Sequence, residues 1–275
     1  MSNASSPDPE TEMETVTSAD GTEIALARSG SGPPLVCVHG LALDHTFWDL
    51  GGLRDTFADE FTVYAMNRRG RGESGDCNEY DLEREVEDVA AVVNSIDEPV
   101  ALLGHSHGAL CALEAAARTD SLSHLVLYEP PFMPGEGYPV LEELLDAVTP
   151  LLADGEPERA VITDLSAVGL PETYLERLRS SPNWETLVEA ADTIPREIER
   201  IIAYDFDTER FTGMTTPTLL VAGAESPDRL ANAAEIVHET LPDSRIVRID
   251  GGAHFGLLTN ADQFVEEARG FLEAT

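Results

Sequence analysis

The sequence predicts an α/β fold in which a mainly parallel sheet of eight strands is covered by helices on both faces. Two observations predict this class. Short apolar runs alternate along the chain with longer stretches of helical periodicity, the pattern of a parallel sheet whose strands are buried on both faces. The chain has 275 residues, of which 42% are hydrophobic, and this is enough for one large core.

The elements follow one another in a regular order. The first two strands flank a turn at 19–21, and we expect them to form an antiparallel hairpin. The later strands are runs of four or five mainly apolar residues, and the helices between them carry apolar residues on one face. The predicted strands are Thr15–Thr17, Glu23–Arg28, Leu35–Val38, Phe61–Ala65, Val100–Leu103, Leu125–Tyr128, Thr218–Ala222 and Ile246–Ile249, and the predicted core helices are 46–58, 81–96, 107–118, 228–240 and 261–273.

One long segment interrupts this alternation. It has helical patterns at Val140–Ala153, Glu172–Arg179 and Trp184–Tyr204, separated by prolines, and no clear strand. We therefore expect a helical insertion between strands six and seven. The first residues of the chain are polar and acidic, without the apolar run of a signal peptide. The predicted organisation is a disordered leader at 1–13, a core at 14–131 and 214–275, and a helical insertion at 132–213.

The charge balance is strongly acidic. There are 52 Asp and Glu against 17 Lys and Arg, a formal net charge of −35, and all 17 cations are arginine. This field repels nucleic acids and anionic membranes, so we expect neither as a partner. Salt screens the self-repulsion, because the Debye length falls to about 3 Å at 1 M. The complete absence of lysine favours a protein of a halophilic archaeon over the alternative, an acidic enzyme of a mesophile. Cys37 and Cys111, read as small buried side chains in a reducing compartment, and the lack of a signal peptide predict a cytoplasmic location.

Nothing in the sequence indicates a metal or a nucleotide cofactor. Cys37, Cys77 and Cys111 form no pair at metal-ligand spacing, and no Gly-x-Gly-x-x-Gly motif follows a strand. The expected ligand is a small-molecule substrate. The sequence carries no signal of the oligomeric state.

The pentapeptide Gly104-His-Ser-His-Gly108 carries the strongest chemical signal. An apolar strand leads directly into it, and a helix of small residues follows. In this context Gly-x-Ser-x-Gly places the serine on a sharp strand-to-helix turn. The start of the helix then presents backbone N–H groups to a developing oxyanion. We therefore predict Ser106 as a nucleophile and the N–H of His107 as one half of an oxyanion hole.

Two further loops complete the predicted site. The strand that ends at Val38 leads into His39 and Gly40, which suits the other half of an oxyanion hole, formed by the N–H of Leu41. His39 precedes the nucleophile, and we expect it to orient neighbouring groups. Among the seven histidines, His254 follows the last strand and precedes the last helix, where the general base is expected.

These segments resemble the α/β-hydrolase fold family over residues 14–273. The supporting stretches are VHG at 38–40, NRRGRGESG at 67–75, GHSHG at 104–108 and GGAHF at 251–255. The second is similar to a family stretch that usually begins with Asp, where this chain has Asn67. The resemblance implies a cofactor-free serine hydrolase whose helical insertion at 132–213 forms a cap that shapes the substrate pocket.

The third member of the triad departs from the family pattern. The family usually places Asp after strand seven, where this chain has Ser226. Asp228 follows closely, although an acidic residue there also suits the start of a helix. Glu129, at the end of strand six, is in a position that haloalkane dehalogenases use. Because a carboxylate there is costly without a partner, we favour Glu129 over Asp228, and Glu225 is the remaining candidate.

Three functions are compatible with these residues. The favoured one is hydrolysis of an ester, lactone or similar acyl bond through an acyl-enzyme on Ser106. A carbon–carbon bond hydrolase would need cations in the insertion to bind a substrate carboxylate. A small-molecule binding protein without turnover is the non-enzymatic alternative, disfavoured because nucleophile, histidine and oxyanion turn occur together. The cations available in the insertion are Arg177, Arg179, Arg196 and Arg200.

Overall fold

The computed structural model describes residues 11–77, 79–133 and 138–273. Eight strands in this part of the chain form a single sheet. The strands are β1 (Glu12–Thr17), β2 (Glu23–Gly30), β3 (Pro34–Val38), β4 (Thr62–Met66), β5 (Val100–His105), β6 (Leu122–Tyr128), β7 (Thr218–Gly223) and β8 (Ser244–Ile249).

The sheet is mainly parallel. Its strand order is β1-β2-β4-β3-β5-β6-β7-β8. The β1–β2 and β2–β4 pairs are antiparallel, and every other neighbouring pair is parallel. All residues of β3, β5 and β7 are buried, because helices cover both faces. The predicted sheet and the predicted hairpin at its edge are confirmed.

Helices follow most strands, and five of them lie between β6 and β7. Pro139 and Pro157 begin two of these five helices, at a position where the N–H that proline lacks has no helical partner. The helices are α1 (Leu53–Ala58), α2 (Leu82–Asn94), α3 (His107–Ala116), α4 (Pro139–Ala153), α5 (Pro157–Ala167), α6 (Glu172–Arg179), α7 (Trp184–Glu189), α8 (Thr193–Ile202), α9 (Asp228–Thr240), α10 (Gly256–Thr259) and α11 (Ala261–Leu272), with 3₁₀ turns at His45–Gly52, Ala190–Asp192 and Thr208–Arg210.

Two sequence expectations differ from the structure. Residues 1–10 of the predicted leader 1–13 lie outside the described residues, and Glu12 and Met13 belong to β1, where they pair with β2. The single helical pattern predicted over Trp184–Tyr204 is divided into α7 and α8 by a 3₁₀ turn. Pro195 explains the second difference, because a proline is tolerated only in the first turn of a helix, and α8 begins two residues before it.

A buried charge network connects the helices between β6 and β7 to the core. Arg68 and Arg71, in the loop after β4, donate to Glu197 of α8 at 2.5 and 2.7 Å, and Arg68 also pairs with Glu85 of α2 at 2.8 Å. All four side chains are buried. Asp164 of α5 is buried nearby, and burial raises the pKa of its carboxyl to about 7. The network therefore fixes α8 on the core through charges.

No helix in the described part of the chain is both long and apolar enough to cross a membrane.

Candidate active site

Ser106 lies on a strained turn between β5 and α3. Its φ of 53° and ψ of −124° are outside the conformations that residues other than glycine commonly adopt, and such strain is typical of functional sites. A Cβ atom at Gly108 would lie 2.3 Å from the carbonyl oxygen of Val38, and one at Gly104 would lie 2.5 Å from the Cα of Ala109. Only glycine at these two positions allows the tight turn that projects Ser106 from the carboxyl edge of the sheet.

His254, in the loop after β8, connects the nucleophile to a carboxylate. Its Nε2 lies 3.0 Å from Oγ of Ser106, and its Nδ1 lies 2.7 Å from Oε2 of Glu129. In the neutral tautomer that fits both contacts, Nδ1–H donates to Glu129 and Nε2 accepts the hydroxyl proton of Ser106. This is the arrangement of nucleophile, general base and orienting carboxylate.

Glu129 is held at the end of β6 by contacts with both of its carboxylate oxygens. Oε1 accepts the N–H of Gly223 at 2.7 Å, and Oε2 contacts His254. The residue is fully buried and has a φ of 49°, so these two partners offset the cost of removing a carboxylate from water. Asp228 and Glu225 are exposed. Of the three carboxylates that the sequence offered, the structure brings Glu129 to His254.

The loop that carries His254 is anchored by two side chains. The hydroxyl of Tyr128 donates to the carbonyl oxygen of Ala253 at 2.7 Å, and Nε2 of His105 donates to the carbonyl oxygen of His254 at 3.0 Å. His105 is buried and stacks on Phe47, with ring centroids 5.0 Å apart. Burial holds the pKa of His105 well below its usual value, so this ring is neutral and serves as a hydrogen-bond donor.

The segments that carry the two predicted oxyanion groups both adjoin the nucleophile. His107 begins α3 directly after Ser106. Gly40 packs against the nucleophile, since a Cβ atom there would lie 3.2 Å from Cβ of Ser106. The next residue, Leu41, has an N–H with no hydrogen-bond partner among the described residues. The N–H groups of Leu41 and His107 therefore belong to segments that adjoin Ser106, and their role as an oxyanion hole stays a prediction.

His39 makes hydrogen bonds with both of its ring nitrogens. Its Nδ1–H donates to the carbonyl oxygen of Gly40 at 2.8 Å, and its Nε2 accepts the N–H of Arg68 at 3.2 Å. The ring is completely buried, and burial lowers its pKa well below the usual range. A neutral imidazole with both nitrogens occupied is suited to positioning the backbone before Leu41.

A cavity of about 190 Å³ opens beside Ser106. Its walls are mainly apolar, and α4, α5 and α8 contribute to them. Arg229, which the sequence analysis missed, is the one permanently charged side chain among the described lining residues. Its position in the first turn of a helix, where acidic residues are favoured, was the available signal. The lining residues are Leu41, Leu43, His105, Ser106, Pro131, Tyr138, Val140, Leu141, Leu144, Ala167, Val168, Gly169, Ile201, Pro227, Arg229, Leu230, Ala253, His254 and Phe255.

The four arginines considered from the sequence lie elsewhere. None of them lines the cavity. Arg177 lies over the ring of Tyr174, 5.4 Å from its centroid. The other three form ion pairs, namely Arg179 with Glu158, Arg196 with Asp76 and Arg200 with Asp81.

One group of buried side chains has metal-ligating types. Potential ligand atoms of Glu85, His107 and Cys111 lie within 4.8 Å of one another. Glu85, however, is paired with Arg68 and accepts the hydroxyl of Tyr80 at 2.7 Å. Because the guanidinium already neutralises this carboxylate, Glu85 is a poor ligand for a divalent cation.

Comparisons with known proteins agree with this geometry. A family model described as the alpha/beta hydrolase family matches residues 35–267. The chain is 27% identical to a non-heme haloperoxidase of Rhodococcus erythropolis, covering 95% of this chain and 100% of that protein. It is 26% identical to a pimeloyl-[acyl-carrier protein] methyl ester esterase of Aeromonas hydrophila, covering 88% and 96%.

Solved structures show the same likeness. An alpha/beta hydrolase from Sphaerobacter thermophilus is 32% identical, with a TM-score of 0.72 and coverage of 91% of this chain and 99% of that one. An esterase from Rhodococcus sp. ECU1013 has the same fold at 24% identity, with a TM-score of 0.77 and coverage of 95% and 98%. The chain therefore belongs to the alpha/beta hydrolase family and is a hydrolase.

Proposed function

We propose that the protein hydrolyses a carboxylic ester, lactone or similar acyl bond of a small molecule through an acyl-enzyme on Ser106. The observation that carries this proposal is the continuous hydrogen-bonded series from Ser106 through His254 to Glu129, with contacts of 3.0 and 2.7 Å. Ser106 and His254 line a mainly apolar cavity, which suits the hydrocarbon part of an ester.

The geometry supports a two-step mechanism. Oγ of Ser106 attacks the carbonyl carbon while Nε2 of His254 takes the hydroxyl proton, and the N–H groups of Leu41 and His107 stabilise the oxyanion. As the intermediate collapses, His254 returns the proton to the leaving alcohol. Water then attacks the acyl-enzyme with His254 again as base, releasing the acid and restoring Ser106. Glu129 holds the tautomer of His254 throughout and stabilises its protonated form.

The relatives and the inserted helices also support the proposal. One relative is named as a methyl ester esterase and one structural neighbour as an esterase. The helices α4, α5 and α8 supply apolar wall residues to the cavity, among them Leu141, Leu144 and Ile201. We propose that the insertion at 132–213 is the cap that selects the substrate.

The two alternative functions have less support. A carbon–carbon bond hydrolase would need a cation for its substrate carboxylate. The four candidate arginines of the insertion lie outside the cavity lining, which leaves Arg229, outside the insertion, as the one arginine among the described lining residues. A binding protein without turnover needs no proton path, yet Ser106, His254 and Glu129 are all at hydrogen-bond distance. Ester hydrolysis uses each of these contacts.

Labelling with a fluorophosphonate probe tests the proposal. We expect the wild-type protein to take up one probe per chain, at Ser106, and the Ser106→Ala variant to take up none. Ser226→Ala is the matched control, because this serine lies near the site but outside the proposed machinery; it is expected to label as fast as wild type. Folded wild-type protein that neither labels nor hydrolyses p-nitrophenyl esters from acetate to laurate would overturn the proposal.

A further inference from the structure

Arg229 is the one feature of the cavity that ester hydrolysis does not itself use. We propose that Arg229 is a specificity-determining residue that binds a carboxylate group of the substrate, so that the preferred substrate is an ester carrying a second, anionic group. The inference rests on the proposed function, because the ester bond must lie at Ser106.

The pairing of the arginines singles out Arg229. All but two of the 17 arginines form an ion pair with Asp or Glu within the described residues. Arg177 is one exception and lies over an aromatic ring. Arg229 is the other. A guanidinium on a cavity wall that pairs with none of the carboxylates among the described residues is positioned for a carboxylate from outside.

The surroundings of Arg229 leave hydrogen-bonding capacity unused. Its Nε is buried and has no hydrogen-bond partner among the described residues. The hydroxyl of Tyr138, on the same cavity wall, is close enough to hydrogen-bond Arg229, although burial raises the pKa of this phenol overall. A buried donor without an acceptor is costly. A bound carboxylate would satisfy the guanidinium and accept from Tyr138 as well.

The position of Arg229 has no explanation in the stability of its helix. It is the second residue of α9, where the positive end of the helix dipole disfavours a cation. Pro227, which precedes the helix, also lines the cavity. The guanidinium and the helix terminus therefore add positive potential to the same wall.

The acidic field of the whole protein does not prevent anion binding in this cavity. Interactions between exposed charges are largely screened beyond the Debye length, about 8 Å at physiological salt. Inside the cavity the walls near Arg229 are apolar, and there an arginine–carboxylate pair is screened less and forms strong, two-pronged hydrogen bonds. The local cation therefore dominates the recognition of a ligand group at this wall.

Two pairs of esters matched in length test the inference. Monomethyl adipate and methyl hexanoate differ by a carboxylate on the acyl side, and 5-acetoxypentanoate and pentyl acetate differ by one on the alcohol side. For one pair we expect wild type to prefer the carboxylated ester in kcat/KM by about 10- to 100-fold, the range for a hydrogen bond to a charged group. Arg229→Gln is expected to abolish that preference, and the pair affected shows which side of the ester Arg229 binds.

Control variants separate binding from folding. Arg177→Gln, the other arginine without an ion pair, lies outside the cavity and is expected to leave all four rates unchanged. Arg229→Lys keeps the charge but not the planar donor pair, and we expect it to retain part of the preference. Fluorophosphonate labelling of each variant shows that its Ser106 site is intact.

Two results would overturn the inference while leaving ester hydrolysis in place. They are wild-type rates that favour both neutral esters, and a preference for a carboxylated ester that persists in Arg229→Gln. If wild type hydrolyses none of the four esters and does not label, the proposed function itself fails, and the role of Arg229 fails with it.

Discussion

The carboxylate of Glu129, which follows β6, lies at the end of the neighbouring strand β7, where the family usually has Asp. Its Oε1 accepts the N–H of Gly223, the last residue of β7, so the carboxylate lies across the end of the strand from which the family usually supplies Asp. Because β6 and β7 are adjacent and parallel, a glutamate from the end of one reaches the end of the other. The carboxylate that contacts His254 in this chain therefore comes from the end of β6.

The substitution Glu129→Gln tests this role. Gln would present its carbonyl or amide to His254 without a charge, and the protonated imidazole would lose its stabilisation. We expect kcat to fall by about 10⁴, as found when a triad carboxylate becomes an amide. Asp228→Asn is the control and is expected to stay within about twofold of wild type. A large loss in Asp228→Asn with an active Glu129→Gln would reassign the acid.

Gly108 is predicted to be irreplaceable for steric reasons. A Cβ atom there would lie 2.3 and 2.4 Å from the carbonyl oxygens of Val38 and His39, and both belong to rigid backbone. We expect Gly108→Ala to lower the free energy of unfolding by about 2 kcal/mol or more and to abolish labelling of Ser106. Urea unfolding measures the first effect. Gly213→Ala, with open space around the new methyl group, should stay close to wild type.

The residues whose chemistry is tied to a local pattern could be predicted from the sequence. Ser106 follows from a five-residue motif, and Glu129 follows from the cost of ending an apolar strand with a carboxylate. Arg229 was missed because the cavity wall is assembled from β7–α9, α4 and α5, and no local pattern reports which side chains of separate segments face the same space.

The helix α8 is tied to the core through buried charge. Glu197 is completely buried and accepts from Arg68 and Arg71. Glu197→Gln would leave two buried guanidinium groups with less negative charge, and breaking a buried pair in this way costs about 3–5 kcal/mol. We expect the urea midpoint to fall accordingly. Arg179→Gln, which removes a half-exposed pair with Glu158, should cost about 1 kcal/mol or less, and equal losses would contradict the argument.

Asp164 makes the helix α5 sensitive to pH. Burial raises its folded-state pKa from 3.8 to about 7, opposed by Arg71 and reinforced by Glu197. Between these two values the folded chain keeps a proton that the unfolded chain releases, so this residue makes stability fall as pH rises from about 4 to 7. Asp164→Asn removes that dependence.

The measurement is the Tm of wild type and of Asp164→Asn between pH 4 and pH 8. We expect the Tm difference, variant minus wild type, to be larger at pH 8 than at pH 4 by about 2–4 °C or more, since one pKa unit corresponds to about 1.4 kcal/mol. A difference that is constant between pH 4 and pH 8 would show that Asp164 titrates normally.

Periodicity predicted the core elements well and the insertion less completely. The apolar runs marked the centre of each strand, but β6 begins at Leu122, three residues before the predicted run. Its first three residues are partly exposed, and two of them, Ser123 and His124, are polar. The helix α5 was not predicted. One of the four buried positions in its sequence PERAVITDLSA is Asp164, so a carboxylic acid interrupts the apolar stripe that sequence patterns detect.

The whole molecule carries a net charge of −35, and salt is expected to stabilise it. Self-repulsion destabilises a compact state, and the Debye length falls from about 10 Å at 0.1 M to about 3 Å at 1 M. We expect Tm to rise by about 5 °C or more between 0.05 and 1 M NaCl, most steeply below 0.5 M. A Tm that is flat below 0.5 M would show that repulsion is minor. Halophilic archaeal origin stays a prediction from composition.

The groups that meet at Ser106 lie far apart along the chain. This separation affects how fast the site forms during folding. Glu129 and His254 are 125 positions apart, and Ser106 and His254 are 148 apart, so their contacts form only after β8 has docked on β7. Contacts between distant parts of a chain form slowly, because loop closure precedes the gain from pairing. During refolding, helical circular dichroism should therefore return earlier than reactivity toward a fluorophosphonate. The nucleophile itself reports when the last strand is in place.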